Sequence, residues 1–443
     1  MAARSGDARK VSAAEIVSPS NAYAGYVLGV LVTVYVLNFL DRQILAILIP
    51  PIKAELQVSD TLMGLLAGTA FAVFYTFAGI PIARWADRGV RRTIIALGLT
   101  LWSGMTALCG VAQNFLQLAL ARIGVGVGEA AGTPPAHSLL SDYFPPHRRA
   151  TALGIYSAAV PIGGAFGVFL GGWLADNFGW RSAFLAVGVP GLVVALLLRT
   201  TVREPPRGRF DAEHSEQSAP TETVWDVFKF LWQLKTFRYM SLATGLAAFS
   251  AYGFNIWVPT FLVRVHELTL TQVGLWAGVV YGLCAGVGTF VGGMVCDRVS
   301  RRDVRWFAWL PVIVVLGALP FQLFLLLWPG TFLALLSIVP GGFFSPAWMS
   351  PTFATVQNLV KPHMRALASA VLLFFLNLIG LGAGPQVVGI LNDVLNPLLG
   401  DEAVRYSLLI VKLTSIGAAI LFVLAGRHLV EDLRTTGALG EAT

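Results

Sequence analysis

Ala83-Arg84-Trp85-Ala86-Asp87-Arg88-Gly89-Val90-Arg91-Arg92 is answered later in the chain by Gly293-Met294-Val295-Cys296-Asp297-Arg298-Val299-Ser300-Arg301-Arg302. A small residue, an Asp-Arg pair and then an Arg-Arg pair recur at an offset of 210 residues, counted from Asp87 to Asp297. A basic loop alone would report only topology. The matched aspartate in both copies points to an internal duplication of the parallel kind from which many transporters are built. Each copy lies between the second and third apolar stretches of its half.

Those apolar stretches set the fold class. Soluble chains carry about 25% charged residues, whereas this one of 443 residues carries 12% and is 56% hydrophobic. Its mean hydropathy is +0.71. Runs of about 20 apolar residues, each long enough to cross roughly 30 Å of hydrocarbon, fall at 23–50, 61–84, 93–113, 115–139, 150–175, 181–200, 237–263, 271–296, 305–328, 331–357, 364–391 and 403–427. Barrel strands would need alternating segments of about ten residues, and the sequence has none. The expectation is an all-α membrane protein of twelve transmembrane helices in two six-helix bundles.

The domain plan follows. A polar tail at 1–22 precedes an N-terminal bundle at 23–200, and a hydrophilic linker at 201–236 leads to a C-terminal bundle at 237–427 and a tail at 428–443. Prolines 205 and 206 stop the sixth helix. Within the linker, Trp225, Phe228, Leu231 and Trp232 recur at helical spacing, a pattern suited to a short helix in the membrane interface. The net charge of +7 would suggest nucleic acid in a soluble protein, but here it encodes orientation. Of 31 Lys and Arg, 24 lie in the tails, the linker and the loops on that same side. Lys53, Arg181, Arg264, Arg405 and Lys412 are placed at the opposite side, and Arg42 and Arg122 inside spans. The positive-inside rule puts both termini in the cytoplasm. No apolar h-region and cleavage site precedes the first span, so no cleaved signal peptide is expected. Cys109, Cys284 and Cys296 fall within helices without a CxxC pair, and the six histidines are scattered. No disulfide or metal site is expected.

The duplicated loops resemble the G-x-x-x-D-R-x-G-R-R signature of the major facilitator superfamily. The first copy departs at Ala83 and in the order of Gly89-Val90, and the second has Ser300 where glycine is usual. The resemblance implies a cytoplasmic gating role for Asp87, Arg88, Arg91, Asp297, Arg298 and Arg301. A physical reason is available: each aspartate could sit at the N-terminus of a helix in the other half, span eleven or span five, and favour the closed inner face. Three further stretches resemble the Spinster branch of that superfamily: Asn38-Phe39-Leu40-Asp41-Arg42, Arg122-Ile123-Gly124-Val125-Gly126-Val127-Gly128-Glu129-Ala130-Ala131, and Val202-Arg203-Glu204-Pro205-Pro206-Arg207-Gly208. That branch implies transport of lysolipids or sphingolipid-like molecules, a monomer, and residence in a bacterial inner membrane. Span five, with Pro161, Gly163, Gly164, Gly167, Gly171 and Gly172, is loosely similar to the proline-glycine motif of superfamily antiporters.

Asp41, Arg42, Arg122 and Glu129 stand inside spans one and four. An ionisable side chain at the bilayer centre costs roughly 2.5–3.5 kcal/mol on insertion scales. Four of them call for a function beyond static packing. Depth matching pairs Asp41 with Arg122 and leaves Glu129 one to two turns further in. Adjacent residues on a helix diverge by about 100°, so Arg42 is expected to close the outer end of the pathway or meet a negatively charged substrate group. A carboxylate in apolar surroundings keeps its proton and a nearby guanidinium releases it, which makes Glu129 the expected proton carrier, with Asp41 and Arg122 coupled to it.

Spans seven to twelve are expected to hold no deep charge. Their polar candidates are Tyr252, Asn255, Tyr281, Gln322, Asn358 and Asn377 among many aromatics, including Phe343, Phe344 and Trp348. Tyr252, Asn255 and Asn377, with Arg42 and Arg122, are the expected substrate or gate contacts. A cavity charged on one wall and apolar on the other suits an amphipathic ligand. The expected activity is secondary active transport of a lysolipid-like substrate, driven by the proton gradient with no cofactor. The alternative is a carrier of small organic anions or hydrophobic drugs. A lipid enzyme would have to be built from Ser141, Asp142 and His137, and duplicated gating loops would serve it no purpose.

Overall fold

The computed structural model describes residues 21–210, 224–361 and 364–437. The Ser/Glu/His-rich part of the linker and most of both tails lie outside the described residues. Among the described residues all regular structure is helical. Among the described residues ten helices are long and apolar enough to cross a membrane, and the last of these, Leu367–Thr435, contains two crossings joined at Gly400–Glu402. The fourth expected span is built from two shorter pieces, Phe115–Glu129 and Thr133–Tyr143. Its break has a local cause: Pro134 and Pro135 supply no N–H to the preceding turn but fit the start of a new helix. Twelve crossings result.

The second and eighth spans, Asp60–Arg88 and Leu270–Ser300, run further than expected and carry Asp87-Arg88 and Asp297-Arg298 in their last turns. The connection after the second span shrinks to Gly89 and Val90. Three stretches are wound as π-helix: Leu65–Thr69, Gly274–Val280 and Leu376–Ala383. They fall in the second, eighth and eleventh spans, and such widened turns often mark places of functional adjustment.

One end of the molecule carries the linker and both Asp-Arg turns and is called the linker side here; the other is the far side. Spans two and eleven, five and eight, and one and seven meet across the two halves. One apolar core, holding Ile44–Ile52 together with Trp257, Phe261, Val388 and Val404, runs through both halves at the far side. Toward the linker side the core divides into one cluster mostly of the N-terminal half, which takes in Leu381 of span eleven, and one of the C-terminal half. The halves are therefore joined at the far side and parted on the linker side. Helix Val224–Gln233 belongs to the C-terminal cluster, with Val227 and Leu231 buried in it. Its outer face is a ladder of stacked rings, Trp225 on Phe228, Phe228 on Trp232, and Trp232 on Phe375.

Candidate functional site: two ion pairs in the N-terminal half

Asp41 lies in the long first helix, Asn21–Leu56, and is almost fully buried. Its Oδ1 accepts from Arg122 Nη1 at 3.0 Å, and its Oδ2 accepts from the hydroxyl of Thr106 on the third span. Both members of the pair are out of contact with solvent, their side chains 1% and 2% exposed. Thr106 also donates toward the Trp102 carbonyl at 2.9 Å. Three helices are thus tied at one carboxylate, so both of its oxygens are used, as a buried charge requires.

One residue along the same helix, Arg42 points elsewhere. Its Nε donates to Glu129 Oε2 at 2.5 Å. The helix rotation that turns it from Arg122 carries it to Glu129. Three rings surround its guanidinium: Phe39 and Phe71 at 5.2 Å and Tyr75 at 4.5 Å. Phe71 also stands 5.7 Å from the Arg122 guanidinium and so neighbours both pairs. Cation–π contact of this kind offsets part of the desolvation cost. Glu129 is fully buried, while the Arg42 side chain is 19% exposed. Glu129 Oε1 accepts no hydrogen bond among the described residues. The glycine run ahead of Glu129 lets neighbouring backbones come close: an added Cβ at Gly128 would lie 2.7 Å from the Trp102 nitrogen, and one at Gly126 3.2 Å from the Phe71 carbonyl.

Thr106, Phe71 and Tyr75 had no signal in the sequence beyond lying within apolar stretches. In the C-terminal half, Tyr252, Asn255 and Asn377 are half-buried. Tyr252 packs against the N-terminal cluster and within electrostatic reach of Arg42 and Tyr75. Asn255 lies beside Tyr281, and Asn377 in the π-helical stretch Leu376–Ala383. The expectation that this half holds no deep charge is corrected by Lys412. Its helix begins at Ala403, which puts Lys412 nine residues, about 14 Å, along the axis. It is 2% exposed, and its ammonium sits 4.2 Å from the Phe254 ring centre.

The Asp-Arg turns do not form an inter-half gate in this structure. Asp87, Arg88, Asp297, Arg298 and Arg301 are exposed. Asp87 and Asp297 make no ion pair among the described residues, because the helix ends expected to receive them stand apart on the parted linker side. Arg91 behaves differently: it is buried, paired with Asp142 and, at 2.7 Å, with Glu204. Arg207 donates to the carbonyls of Ala86 and Gly89, and the Gly208 N–H to Asp142. The start of the linker is thereby clamped to the N-terminal half. Asp142 is committed to Arg91, and the Ser141 hydroxyl to the His137 carbonyl at 3.0 Å. No acid–base–nucleophile arrangement is assembled there.

The model of the Major Facilitator Superfamily matches residues 31–385. An efflux pump of that superfamily type from Mycolicibacterium smegmatis is 34% identical over 94% of this chain and 96% of its own. A sphingosine-1-phosphate transporter of Danio rerio is 26% identical over 83% of this chain and 76% of its own. A probable L-galactonate transporter of Escherichia coli is 27% identical over 64% of this chain and 63% of its own. The crystal structure of a bacterial homologue of the human lysosomal transporter Spinster, in an inward-facing and unoccupied conformation, superposes with a TM-score of 0.85 at 33% identity, covering 93% of this chain and 99% of that one. Twelve helices in two halves, the charge centre between spans one and four, and these matches agree: the chain is a transporter of the major facilitator superfamily, related to the Spinster proteins.

Proposed function

We propose that this transporter couples proton movement to the passage of an amphipathic, acidic, lipid-like substrate such as a lysophospholipid or a sphingolipid phosphate. The observation that carries the reading is the Arg42–Glu129 pair, whose guanidinium is partly open while its carboxylate is fully buried. Arg42 can satisfy Glu129 or an anionic head group. A proton on Glu129 releases Arg42 for the head group, so protonation and anion binding favour each other by linkage. The aromatic and apolar wall of the C-terminal half, with Tyr252 facing Arg42, would receive the tail. Asp41, Arg122 and Thr106 hold the first helix in register and keep the two guanidiniums apart.

In this reading the linker side faces the cytoplasm with both termini, and the protein works as a monomer in a bacterial inner membrane. The proton gradient supplies the drive and no cofactor takes part. The sphingosine-1-phosphate transporter and the Spinster homologue among the relatives support the substrate class. A second reading, a carrier of small organic anions, draws on the sugar-acid transporter among the relatives and on the same two guanidiniums, which suit a carboxylate equally well. Purified protein in liposomes, assayed with a labelled lysophospholipid and with a hexonate under an imposed pH gradient, separates the two. Lysolipid flux that collapses with the gradient is expected. Hexonate flux with lysolipid indifference would overturn the first reading in favour of the second.

A further inference from the structure

At the far side the contacts between the halves repeat themselves. Span five carries Gly172-Trp173-Leu174-Ala175-Asp176, and span eleven carries Gly389-Ile390-Leu391-Asn392-Asp393. This is one Gly-x-Leu-x-Asp pattern, offset by 217 residues from Asp176 to Asp393. Opposite it, span two opens Thr61-Leu62-Met63-Gly64-Leu65-Leu66-Ala67-Gly68 and span eight opens Thr271-Gln272-Val273-Gly274-Leu275-Trp276-Ala277-Gly278. Thr, Gly, Leu, Ala and Gly hold the same places, at the 210-residue offset of the Asp-Arg turns counted from Thr61 to Thr271. Ser59 and Thr269 cap the two helices from matching positions, accepting from the N–H groups of Leu62 and Gln272.

The structure brings the patterns together in crossed pairs. Asp393 accepts from the N–H of Asp60 at 3.0 Å and of Thr61 at 2.7 Å. Asp176 accepts from the N–H of Thr271 at 2.7 Å and from its hydroxyl at 2.6 Å. In each case an aspartate of one half satisfies the first turn of a helix in the other, where N–H groups lack intrahelical partners and the helix dipole is positive. The glycines permit the approach: a Cβ at Gly68 would lie 2.7 Å from the Gly382 carbonyl, and one at Gly278 2.8 Å from the Ala165 carbonyl. The two junctions differ in surroundings. Asp60 also meets Lys53 at 2.6 Å, Arg264 at 2.6 and 2.9 Å, and Asn392 at 3.0 Å. Leu270 stands at the matching place of the other junction, and Asp176 there is exposed.

We propose that Asp176 and Asp393 are the paired far-side gate residues of the transport cycle, each holding the far side shut by hydrogen-bonding the first turn of a helix in the opposite half. Opening the far side must part both junctions and strip two carboxylates of their helix-terminal donors. The duplication explains why there are two: each arose with its half, and crossing the halves makes them reciprocal. This rests on the chain being an alternating-access transporter but not on the proton or on the substrate's identity. Asp393, less exposed and next to the Asp60 cluster, dominates; Asp176, at the rim, is screened by salt.

The test uses full-length protein in nanodiscs, with Cys109, Cys284 and Cys296 replaced and spin labels placed across the far side. Asp393→Asn keeps the shape and removes the charge. It is expected to raise the ratio of far-side-open to far-side-closed molecules about two- to fivefold, the worth of a charge at a helix terminus. Asp176→Asn is expected at the lower end of that range, and the double variant at the product of the two. Thr271→Val, which deletes one donor and no charge, is expected to move the ratio in the same direction and serves if an aspartate variant fails to fold. Unchanged distance distributions in folded double variant and in Thr271→Val would overturn the proposal. A retained pH response of the linker side in those samples would show that the gate assignment had failed and the proton reading had not.

Discussion

Arg42 and Arg122 share one ring, their guanidinium carbons 5.2 and 5.7 Å from the centre of Phe71. Two cations that would repel in an apolar interior thus have a common aromatic neighbour, and each has its own carboxylate. Arg122 is closed off with Asp41, while Arg42 keeps an open edge beside Glu129. In the proposed cycle the closed pair stays and the open one exchanges.

The exchanging pair fixes the sign of a pH effect. The proposed coupling predicts that as pH falls Glu129 takes up a proton, Arg42 is released, and affinity for an anionic amphiphile rises. A single linked proton changes that affinity at most tenfold per pH unit. Glu129→Gln should bind with the low-pH affinity throughout and show a flat profile in titrations of purified protein. A wild-type slope surviving in Glu129→Gln would move the proton to another group.

The closed pair predicts a stability effect instead. Asp41→Asn leaves Arg122 buried without its counter-charge, a change that costs roughly 3–5 kcal/mol for buried pairs. Asp41→Asn combined with Arg122→Met removes both charges and should recover much of that loss in thermal unfolding monitored in detergent. Additive losses would mean that Asp41 and Arg122 do not act as a pair.

Lys412 lies over Phe254 with no carboxylate against it among the described residues. Lys412→Met keeps the length of the side chain and removes the cation. Replacing buried charge by a packed apolar side chain is often neutral or stabilising by about 1–4 kcal/mol. The variant is expected to unfold at the wild-type temperature or above it. A marked fall would show that the ammonium is held by something the fold supplies.

The glycines before Glu129 should not be equivalent. A Cβ at Gly124 meets the flexible end of Met105, which can turn aside, whereas one at Gly128 meets the backbone of Trp102. Gly124→Ala is expected to be tolerated. Gly128→Ala forces spans three and four apart and should cost about 1–3 kcal/mol, as overpacking does. It should also lower transport, because Glu129 is the next residue. Equal behaviour of the two would reject close backbone packing as the reason for the run.

Much of the architecture was legible from composition. The cost of polar groups in hydrocarbon is paid residue by residue, so apolar length alone marked nearly every crossing, and the intruding charges stood out against it. The break in the fourth span was written in Pro134 and Pro135, yet the apolar run passed over it. Lys412 was misplaced because its depth depends on where the helix starts, at Ala403, rather than on distance from the nearest loop. Asp87 and Asp297 stand out in the sequence as a repeat, but which helix end they meet depends on which side of the molecule is open.

The chain by itself determined a duplicated bundle of membrane helices with two acids and two bases in its first half. Those facts are local: hydrophobic length, buried charge and repeated spacing need no knowledge of what lies opposite. Tertiary structure alone decided the partners. Helix rotation sent Arg42 to Glu129, set Phe71 beside both arginines, and brought the Thr106 hydroxyl to Asp41. The crossing of the halves set Asp176 against a helix start 95 residues further along the chain and Asp393 against one 332 residues back. A side chain's partner follows from the angle and depth of two packed helices, and neither quantity is carried by either helix alone.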